Sequence, residues 1–364
     1  MQPKARAAVM TAPNEDLRIM EYPLPQVARG CLLVKITCCT ICGSDLHTWL
    51  GRRASPLPII LGHEIVGRIV ALGEGVEHDS GDRPLKVGDR ITWTIMDNCG
   101  KCYLCREKGL MMKCRHLRKY GHDSCAEPPH FMGGFAEYCY ITPGTCVIKV
   151  PDNLTDEETA PANCALSTVV AGWEAIHLQP FENVLIQGAG ALGFYAAALA
   201  KHYGCNRIIV TDILDHRLEF IKAFGATTTI NTKGMQEQEV VEAIHDLTDR
   251  FGVDAAMEAA GIPSLIPLGL KCLRTGGRYV EVGSAFAGAD FTCDASELIF
   301  KRLTIKGIHN YDTRHLQMGI DLLSLTNNIF PFKDIVSHRV RLEEINEGMR
   351  FAASGKAIRV ALLP

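Results

Sequence analysis

From residue 183 to residue 307 short apolar runs alternate with longer segments of helical period. Strands are expected over 183–187, 207–211, 228–231, 253–258, 278–282 and 304–307, with helices over 192–203, 216–224, 236–248 and 264–273. Such alternation leaves few folds open. Parallel neighbours need a crossover, and the crossover helices cover both faces of the sheet. The expected class is α/β, with a doubly wound parallel sheet in this part of the chain.

The first turn of the alternation reads Gln187-Gly188-Ala189-Gly190-Ala191-Leu192-Gly193, a G-x-G-x-x-G. The pattern alone is weak, but here it follows an apolar strand and opens an apolar helix. Gly188 makes the tight turn, Gly190 lets a pyrophosphate approach the backbone, and Gly193 lets helix and strand pack closely. Leu192 is counted with them as cofactor-contacting. The unpaired N–H groups of the helix start face the phosphates. Asp212 ends the next strand, where its carboxylate would accept hydrogen bonds from ribose hydroxyls and repel a 2′-phosphate, so NAD is expected rather than NADP. The rival reading is a glycine-rich turn with a surface aspartate. Arg217, one turn into the following helix, either borders the adenine ribose or is a solvated surface arginine.

A chain of 364 residues is too long for one ordinary core, so two domains are expected. Residues 7–148 carry short strand patterns at 32–37, 66–72 and 91–95, punctuated by glycine, proline and asparagine. They read as a β-rich, partly closed domain. Residues 157–177 read as one helix, and after 309 two helices, 313–325 and 342–354, close the chain with two short strands. The expected boundaries are 1–160, with 310–364 returning to it, and 161–309.

The β-rich part carries most of the chemistry. Cys42-Gly43-Ser44-Asp45-Leu46-His47 and Gly62-His63-Glu64 offer a thiolate, a hydroxyl, imidazoles and carboxylates. Catalytic zinc takes three protein ligands and keeps a fourth position open. Cys42 and His63 are two of the three. Cys164 is the expected third, because it sits where the chain passes from the first domain into the second, where a ligand belongs if the zinc faces a cleft between domains. Taken alone it would more often be a buried helix residue. Cys99, Cys102, Cys105 and Cys114 put four thiols within sixteen residues, a closed and therefore structural zinc site. Two zinc ions per subunit are expected.

Zinc would polarise an alcohol oxygen so that its carbon can give hydride to a nicotinamide. Ser44 and His47 are spaced to pass the proton outward, by way of the cofactor ribose. The alternative for His47 is a surface histidine without a role. Glu64 is a contact beyond the ligands, a transient fourth ligand, or a local structural residue meeting the backbone or an arginine. These readings stay open from sequence.

Hydrophobic residues at 47% and charged residues at 22% fit a globular protein. A net charge of -3 gives no reason to expect nucleic acid or an acidic membrane as partner. No apolar run follows Met1-Gln2-Pro3-Lys4-Ala5-Arg6, so no signal peptide is expected and the location is read as cytoplasmic. The 15 cysteines then point to metal and to plain core positions rather than to disulfides.

Together these residues resemble the zinc-dependent medium-chain alcohol dehydrogenases over nearly the whole chain. Besides the motifs above, Gly133-Gly134-Phe135-Ala136-Glu137-Tyr138, Thr168 and the stretch from Ile345 to Arg359 carry the resemblance. It implies a GroES-like β-rich catalytic domain, a Rossmann domain inserted into it, and a homodimer or homotetramer. It also implies that Thr168 contacts the nicotinamide side and that Arg359 reaches the pyrophosphate. The spacing from Cys105 to Cys114 is one residue longer than usual, which puts the shape of that lobe in question. Gly283-Ser284-Ala285-Phe286-Ala287-Gly288, the run from Leu303 to Tyr311, and Arg314-His315-Leu316 are similar to the branch named for phosphonate-catabolism-associated alcohol dehydrogenases.

The expected activity is hydride exchange between NAD and a small alcohol, with 2-hydroxyethylphosphonate or a related hydroxyalkylphosphonate as the preferred class. Arg52 and Arg53 would bind the anionic head group. They could equally be exposed loop arginines or meet cofactor phosphate. Trp49 and Ile95 are expected in the pocket wall from their position relative to the ligands. The rivals are an ordinary alcohol, a polyol or a threonine-type hydroxy amino acid, and, more remotely, a non-catalytic NAD-binding protein of the same fold.

Overall fold

The computed structural model describes residues 3–364, so Met1 and Gln2 of the stretch read for an export signal lie outside the described residues. The chain divides into two compact units. One comprises Met1–Cys164, Asp312–Asn328 and Phe332–Pro364, and the other Ala165–Tyr311 and Ile329–Pro331. The first seam falls at Cys164 rather than at residue 160, which keeps Cys164 with the β-rich unit.

That unit is built on a seven-stranded sheet. Its order is Val336–Arg341, Arg359–Leu363, Leu32–Thr40, Glu64–Leu72, Arg90–Trp93 and Val147–Lys149, with Tyr138–Ile141 also paired to Leu32–Thr40. The alternate apolar residues of these strands supply the core, with Val34, Ile36, Ile65, Ile91, Trp93 and Ile141 all buried. Leu32–Thr40 and Glu64–Leu72 run antiparallel with Thr40 opposite Glu64, and irregularities at Leu33/Val34 and Ile36/Cys38 bend the pair. Such bulges re-aim the residues that follow. Here the next residues are Cys42 and the short helix Gly43–Trp49. A smaller sheet, Arg18–Pro23, Lys4–Met10 and Ile59–Ile60, completes the unit.

The second unit is a six-stranded sheet, all parallel, in the order Thr228–Asn231, Arg207–Asp212, Asn183–Gln187, Val253–Glu258, Leu273–Glu281, Thr304–Gly307. The strand order reverses between Asn183–Gln187 and Val253–Glu258. In sheets of this kind ligands bind at the carboxyl ends of the strands flanking that point.

Two expectations change. The helix expected over 157–177 is three pieces: Asp156–Thr159, a tight turn Ala160–Asn163, and Ala165–Ala175. Pro161 removes an N–H there, and Cys164 leaves the helical region with φ -132 and ψ -76. The helix Ala295–Phe300 was not expected. It buries none of its six residues, so no apolar period marks it, and Asp294 capping the N–H of Ser296 is its only local signal. No helix among the described residues is long and apolar enough to cross a membrane.

Candidate active site

Cys42 ends the bent strand pair and stands immediately before helix Gly43–Trp49. Gly62 precedes His63 with a φ of 85, and a Cβ there would lie 2.5 Å from the Phe135 ring, so only glycine fits this turn. These two turns and the break at Cys164 bring four donors together. One ligand atom each from Cys42, His63, Glu64 and Cys164 lies within 4.8 Å of the others.

Asp45 organises this cluster, and sequence reasoning gave it no role. Its Oδ2 accepts the Cys42 N–H at 2.8 Å and its Oδ1 accepts the Gly62 N–H at 3.0 Å. The same Oδ1 faces His63 Nδ1 at 3.2 Å, and both side chains are buried. A carboxylate on one imidazole nitrogen fixes the ring and turns the other toward a metal. His63 Nε2 in turn lies 3.2 Å from the Ser44 hydroxyl. The available signal was an acid in the first turn of a helix directly after a cysteine.

Glu64 is engaged by an arginine. Arg359 donates to both of its oxygens, at 3.0 and 2.9 Å, and Thr40 donates as well. Arg359 Nη2 also lies 3.9 Å from Cys42 Sγ. Arg359 was expected at the cofactor pyrophosphate; its guanidinium is buried against Glu64 and Cys42. The cause is tertiary, since strand Arg359–Leu363 pairs with Leu32–Thr40 and thereby stands beside Glu64. Hydrogen bonding from the Cys164 thiol, with the Arg359 charge, holds the Cys42 thiol well below its usual range despite burial. Burial pushes Glu64 up to about 7, against the pull of Arg359.

This donor set fits zinc. Two thiolates and an imidazole are a known catalytic combination. Two thiolates and the Glu64 carboxylate carry three negative charges, which a divalent ion and the Arg359 guanidinium balance.

The second donor set is the lobe of Cys99, Cys102, Cys105 and Cys114, whose sulfurs also lie within 4.8 Å of one another. Tetrahedral sulfurs about 2.3 Å from zinc stand about 3.8 Å apart. The Cys102–Cys105 and Cys102–Cys114 separations are 3.5 and 3.9 Å. The N–H groups of Cys99 and His116 both donate to Cys114 Sγ at 3.3 Å. Backbone donors, Arg115 first, lower the Cys102 thiol to about 6. The long Cys105–Cys114 spacing is taken up by a turn at Gly109, φ 65, and by the tight turn Met111–Lys113.

The remaining expected residues lie as follows. Trp49 is corrected from pocket wall to core, with its indole N–H donating to the Glu15 carbonyl at 2.7 Å. Ile95 is buried, and its carbonyl accepts the Tyr120 N–H. His47 is held below its usual value by burial and then by Arg52. Arg52 is exposed and Arg53 half-buried, and both backbone N–H groups donate to the His47 carbonyl. Neither arginine side chain has a carboxylate partner among the described residues.

Sequence reasoning also missed Lys119 and His122. The His122 ring packs 5.0 Å from that of His63. Lys119 is buried, and burial followed by the nearby Arg53 charge brings its ammonium down to about 8. Neither sits in a recognisable motif.

In the second unit Gly188 has a φ of 109, and a Cβ on Gly193 would stand 2.0 Å from the Gly188 carbonyl. A Cβ on Gly190 would meet nothing within 4 Å. That open space before the helix Ala191–His202 is what a phosphate-bearing cofactor needs, so the loop fits a dinucleotide. Leu192 lies in the first turn of this helix, Arg217 in helix Asp215–Ile221 and Thr168 in helix Ala165–Ala175. Asp212 accepts the N–H groups of Ala189 at 2.7 Å, Ile213 at 2.7 Å and Leu214 at 3.0 Å. A carboxylate has about four acceptor sites, so capacity for a ribose hydroxyl remains.

Comparison with known proteins agrees with this arrangement. Residues 28–152 match the alcohol dehydrogenase GroES-like domain and residues 191–325 the zinc-binding dehydrogenase family. The chain is 31% identical over 356 residues to an L-threonine 3-dehydrogenase from Shewanella loihica, covering 95% of this chain and 96% of that one. A crystal structure of an alcohol dehydrogenase from Thermotoga maritima superposes with a TM-score of 0.93 at 32% identity, covering 100% of both chains. A dehydrogenase from Escherichia coli solved with NADH gives 0.85 at 25% identity, covering 99% of each. The chain belongs to the zinc-dependent medium-chain alcohol dehydrogenases. Its two units are the GroES-like domain and the Rossmann domain of that family.

Proposed function

We propose that this protein is an NAD-dependent dehydrogenase of a small alcohol that carries an anionic head group. The dehydrogenase part is supported most by the convergence of Cys42, His63 and Cys164 with the Glu64–Arg359 pair beside them, and the anionic head group by exposed Arg52 and half-buried Arg53 after helix Gly43–Trp49. Cys42, His63 and Cys164 would hold the catalytic zinc, and the four-cysteine lobe a structural one. Bound zinc supplies a Lewis acid at the hydroxyl oxygen, and NAD takes up the hydride.

The chain's own part is to place and to deprotonate. Asp45 fixes the His63 ring. Ser44, with its hydroxyl at His63 Nε2, stands where an alcohol proton is released. His47 is three residues further on, on the same face of helix Gly43–Trp49, and burial beside Arg52 keeps it a neutral proton acceptor. Gly188, Gly190, Leu192 and Gly193 would hold the pyrophosphate of bound NAD. Asp212 favours the unphosphorylated ribose, and Arg217 and Thr168 line the same cofactor.

A second reading, oxidation of L-threonine, is favoured by the curated relatives. It needs a carboxylate for the substrate ammonium. Asp45 and Glu64 are already engaged by backbone and Arg359, whereas Arg52 and Arg53 would suit the carboxylate of the same zwitterion.

We also read the chain as self-associating and cytoplasmic. The edge strand Thr304–Gly307 is exposed throughout and stands near exposed Ile299 and Phe300 in sequence. All of its cysteines are free, as a reducing compartment allows.

The test is zinc content with NADH formation over a panel of hydroxyalkylphosphonates, L-threonine and neutral alcohols. Two zinc ions per chain with turnover of the phosphonates are expected. Cys164→Ser should leave one zinc and reduce turnover at least about a hundredfold. Two zinc ions in that variant would remove Cys164 from the site.

A further inference from the structure

In the Rossmann domain two neighbouring strands, Val253–Glu258 and Leu273–Glu281, end in carboxyl groups that stand opposite each other in the parallel register. Glu258 is fully buried. Its Oε1 accepts the N–H groups of Ala260 and Gly261 at 2.7 Å each and of Ile262 at 3.3 Å. The Ser284 hydroxyl donates to its Oε2 at 3.4 Å, and the Ser284 N–H donates to Glu281 Oε1 at 2.7 Å. One serine therefore touches both carboxyls. Glu281 is half-buried, yet its Oε2 is shielded from solvent and has no hydrogen-bond partner.

The pair is built into the cofactor end of the sheet. A Cβ on Gly283 would lie 2.3 Å from Glu258 Oε2 and 2.5 Å from the Gly261 nitrogen, so the loops after the two strands meet over the Glu258 carboxyl. The loop that Glu258 holds also abuts the dinucleotide turn: a Cβ on Gly188 would lie 2.8 Å from that of Ala260, and the Ala259 N–H donates to the Gln187 carbonyl at 2.9 Å. Ligands of such sheets sit outside the carboxyl ends of the strands where the strand order reverses, one nucleoside to each half. The Gly188 turn and Asp212 take the adenosine half. The half that ends in Glu258 and Glu281 is left for the nicotinamide nucleoside.

No lysine, arginine or histidine pairs with either carboxyl among the described residues. The Tyr279 hydroxyl, which donates to Gln187 at 2.7 Å, brings no charge. Two adjoining carboxyls without a counter-ion do not both ionise, so they share one proton and keep one negative charge. Burial, then the Glu281 charge, accordingly holds the Glu258 proton to about 7. In a low-dielectric setting such a charge acts over several ångströms. The cofactor changes charge at its nicotinamide: the oxidised ring is a cation and the reduced ring is neutral.

We propose that Glu258 and Glu281 act as one charge-bearing unit that makes the cofactor site prefer the oxidised over the reduced dinucleotide. The single negative charge of the pair attracts the nicotinamide cation and has no such attraction for the neutral reduced ring. The hold on NADH is thereby weakened relative to NAD+, which favours release of the reduced cofactor after an alcohol is oxidised. This rests on the NAD-dependent dehydrogenase reading above, and it gives a role to two carboxyls that lie in no cofactor motif.

The test measures cofactor binding without turnover. NAD+ and NADH are each titrated calorimetrically, at about pH 6, into zinc-loaded full-length wild type, Glu258→Gln, Glu281→Gln and the double variant. Glutamine keeps an acceptor for the backbone N–H groups at both positions. In each single variant the amide stands in for the protonated carboxyl and the remaining carboxylate keeps the negative charge, whereas the double variant has none. The ratio of the NADH to the NAD+ dissociation constant should stay within about twofold of wild type in the single variants and fall at least about fivefold in the double variant. An unchanged ratio in the double variant would overturn the proposal. So would an equal loss of affinity for both forms, the mark of a merely structural role, or a ratio that falls as far in a single variant. Glu258→Gln with Glu281→Asn supplies a second neutral pair if circular dichroism shows the first to be unfolded. Failure of the underlying reading has a different signature, and overturns both: wild type then binds neither NAD+ nor NADH.

Discussion

At the scale of single residues, Asp45 does with one carboxylate what two separate supports would otherwise do. It holds the Cys42 backbone with one oxygen and the Gly62–His63 turn with the other. Asp45→Asn keeps the shape but replaces one acceptor by a donor. Zinc affinity at the Cys42–His63–Cys164 site should fall about 10- to 100-fold, with the four-cysteine lobe unaffected. A chelator titration followed by metal analysis would resolve the two ions.

A second residue-scale prediction concerns Glu258, buried, and Glu281, half-buried, carboxyls at the ends of adjacent strands. Glu258 Oε1 accepts the N–H groups of Ala260 and Gly261, both at 2.7 Å, and Glu281 Oε1 accepts the Ser284 N–H at 2.7 Å. Burial, then the Glu281 charge, raises Glu258 from 4.5 to about 7. The unfolded chain releases this proton near pH 4.5, whereas the folded one keeps it to about 7. Stability therefore falls as pH rises across that window, at most by on the order of 1 kcal/mol per pH unit, and levels off above it. Glu281→Gln keeps the acceptor and removes the charge. Its loss of thermal midpoint between pH 5 and pH 8 should be smaller than that of wild type.

At the scale of elements, the glycine turn separates folding from binding. Gly193→Ala would set a Cβ 2.0 Å from the Gly188 carbonyl and force helix Ala191–His202 off its strand. It should destabilise the unit by about 1–3 kcal/mol, seen in urea denaturation. Gly190→Ala meets no protein atom. It should fold as wild type and lose NADH binding by fluorescence titration. If Gly190→Ala bound NADH normally, the pyrophosphate would not lie there. These elements were legible because their signals are local. The strands Asn183–Gln187, Thr228–Asn231, Val253–Glu258 and Thr304–Gly307 have the expected bounds. The helix across Cys164 was misread, because Pro161 and the turn after it are weaker signals than the apolar period around them.

At the scale of the molecule, one edge of the parallel sheet is open. Among the described residues Thr304–Gly307 pairs only with Leu273–Glu281, and Ile299 and Phe300, close in sequence, are 70% and 80% exposed. An unpaired edge beside exposed apolar side chains is a template for a second copy. On the proposed self-association, wild type should show more than one chain's mass by light scattering and Ile299→Lys with Phe300→Lys that of one chain, while circular dichroism and zinc content stay as in wild type. The sequence by itself determined the two fold classes, the dinucleotide turn and the four-cysteine lobe, because each rests on spacing within one short stretch or on a period repeated along the chain, and it offered Cys42 and His63 as candidate donors. Cys164 was reachable too, through its place at the seam. Only the tertiary structure decided that Arg359 serves Glu64, that Asp45 braces both turns of the donor cluster, and that Trp49 is core. Asp45 with Gly62, Trp49 with Glu15 and Arg359 with Glu64 are separated by 17, 34 and 295 residues, and the partners are chosen by strand register and turn geometry, which no local pattern encodes.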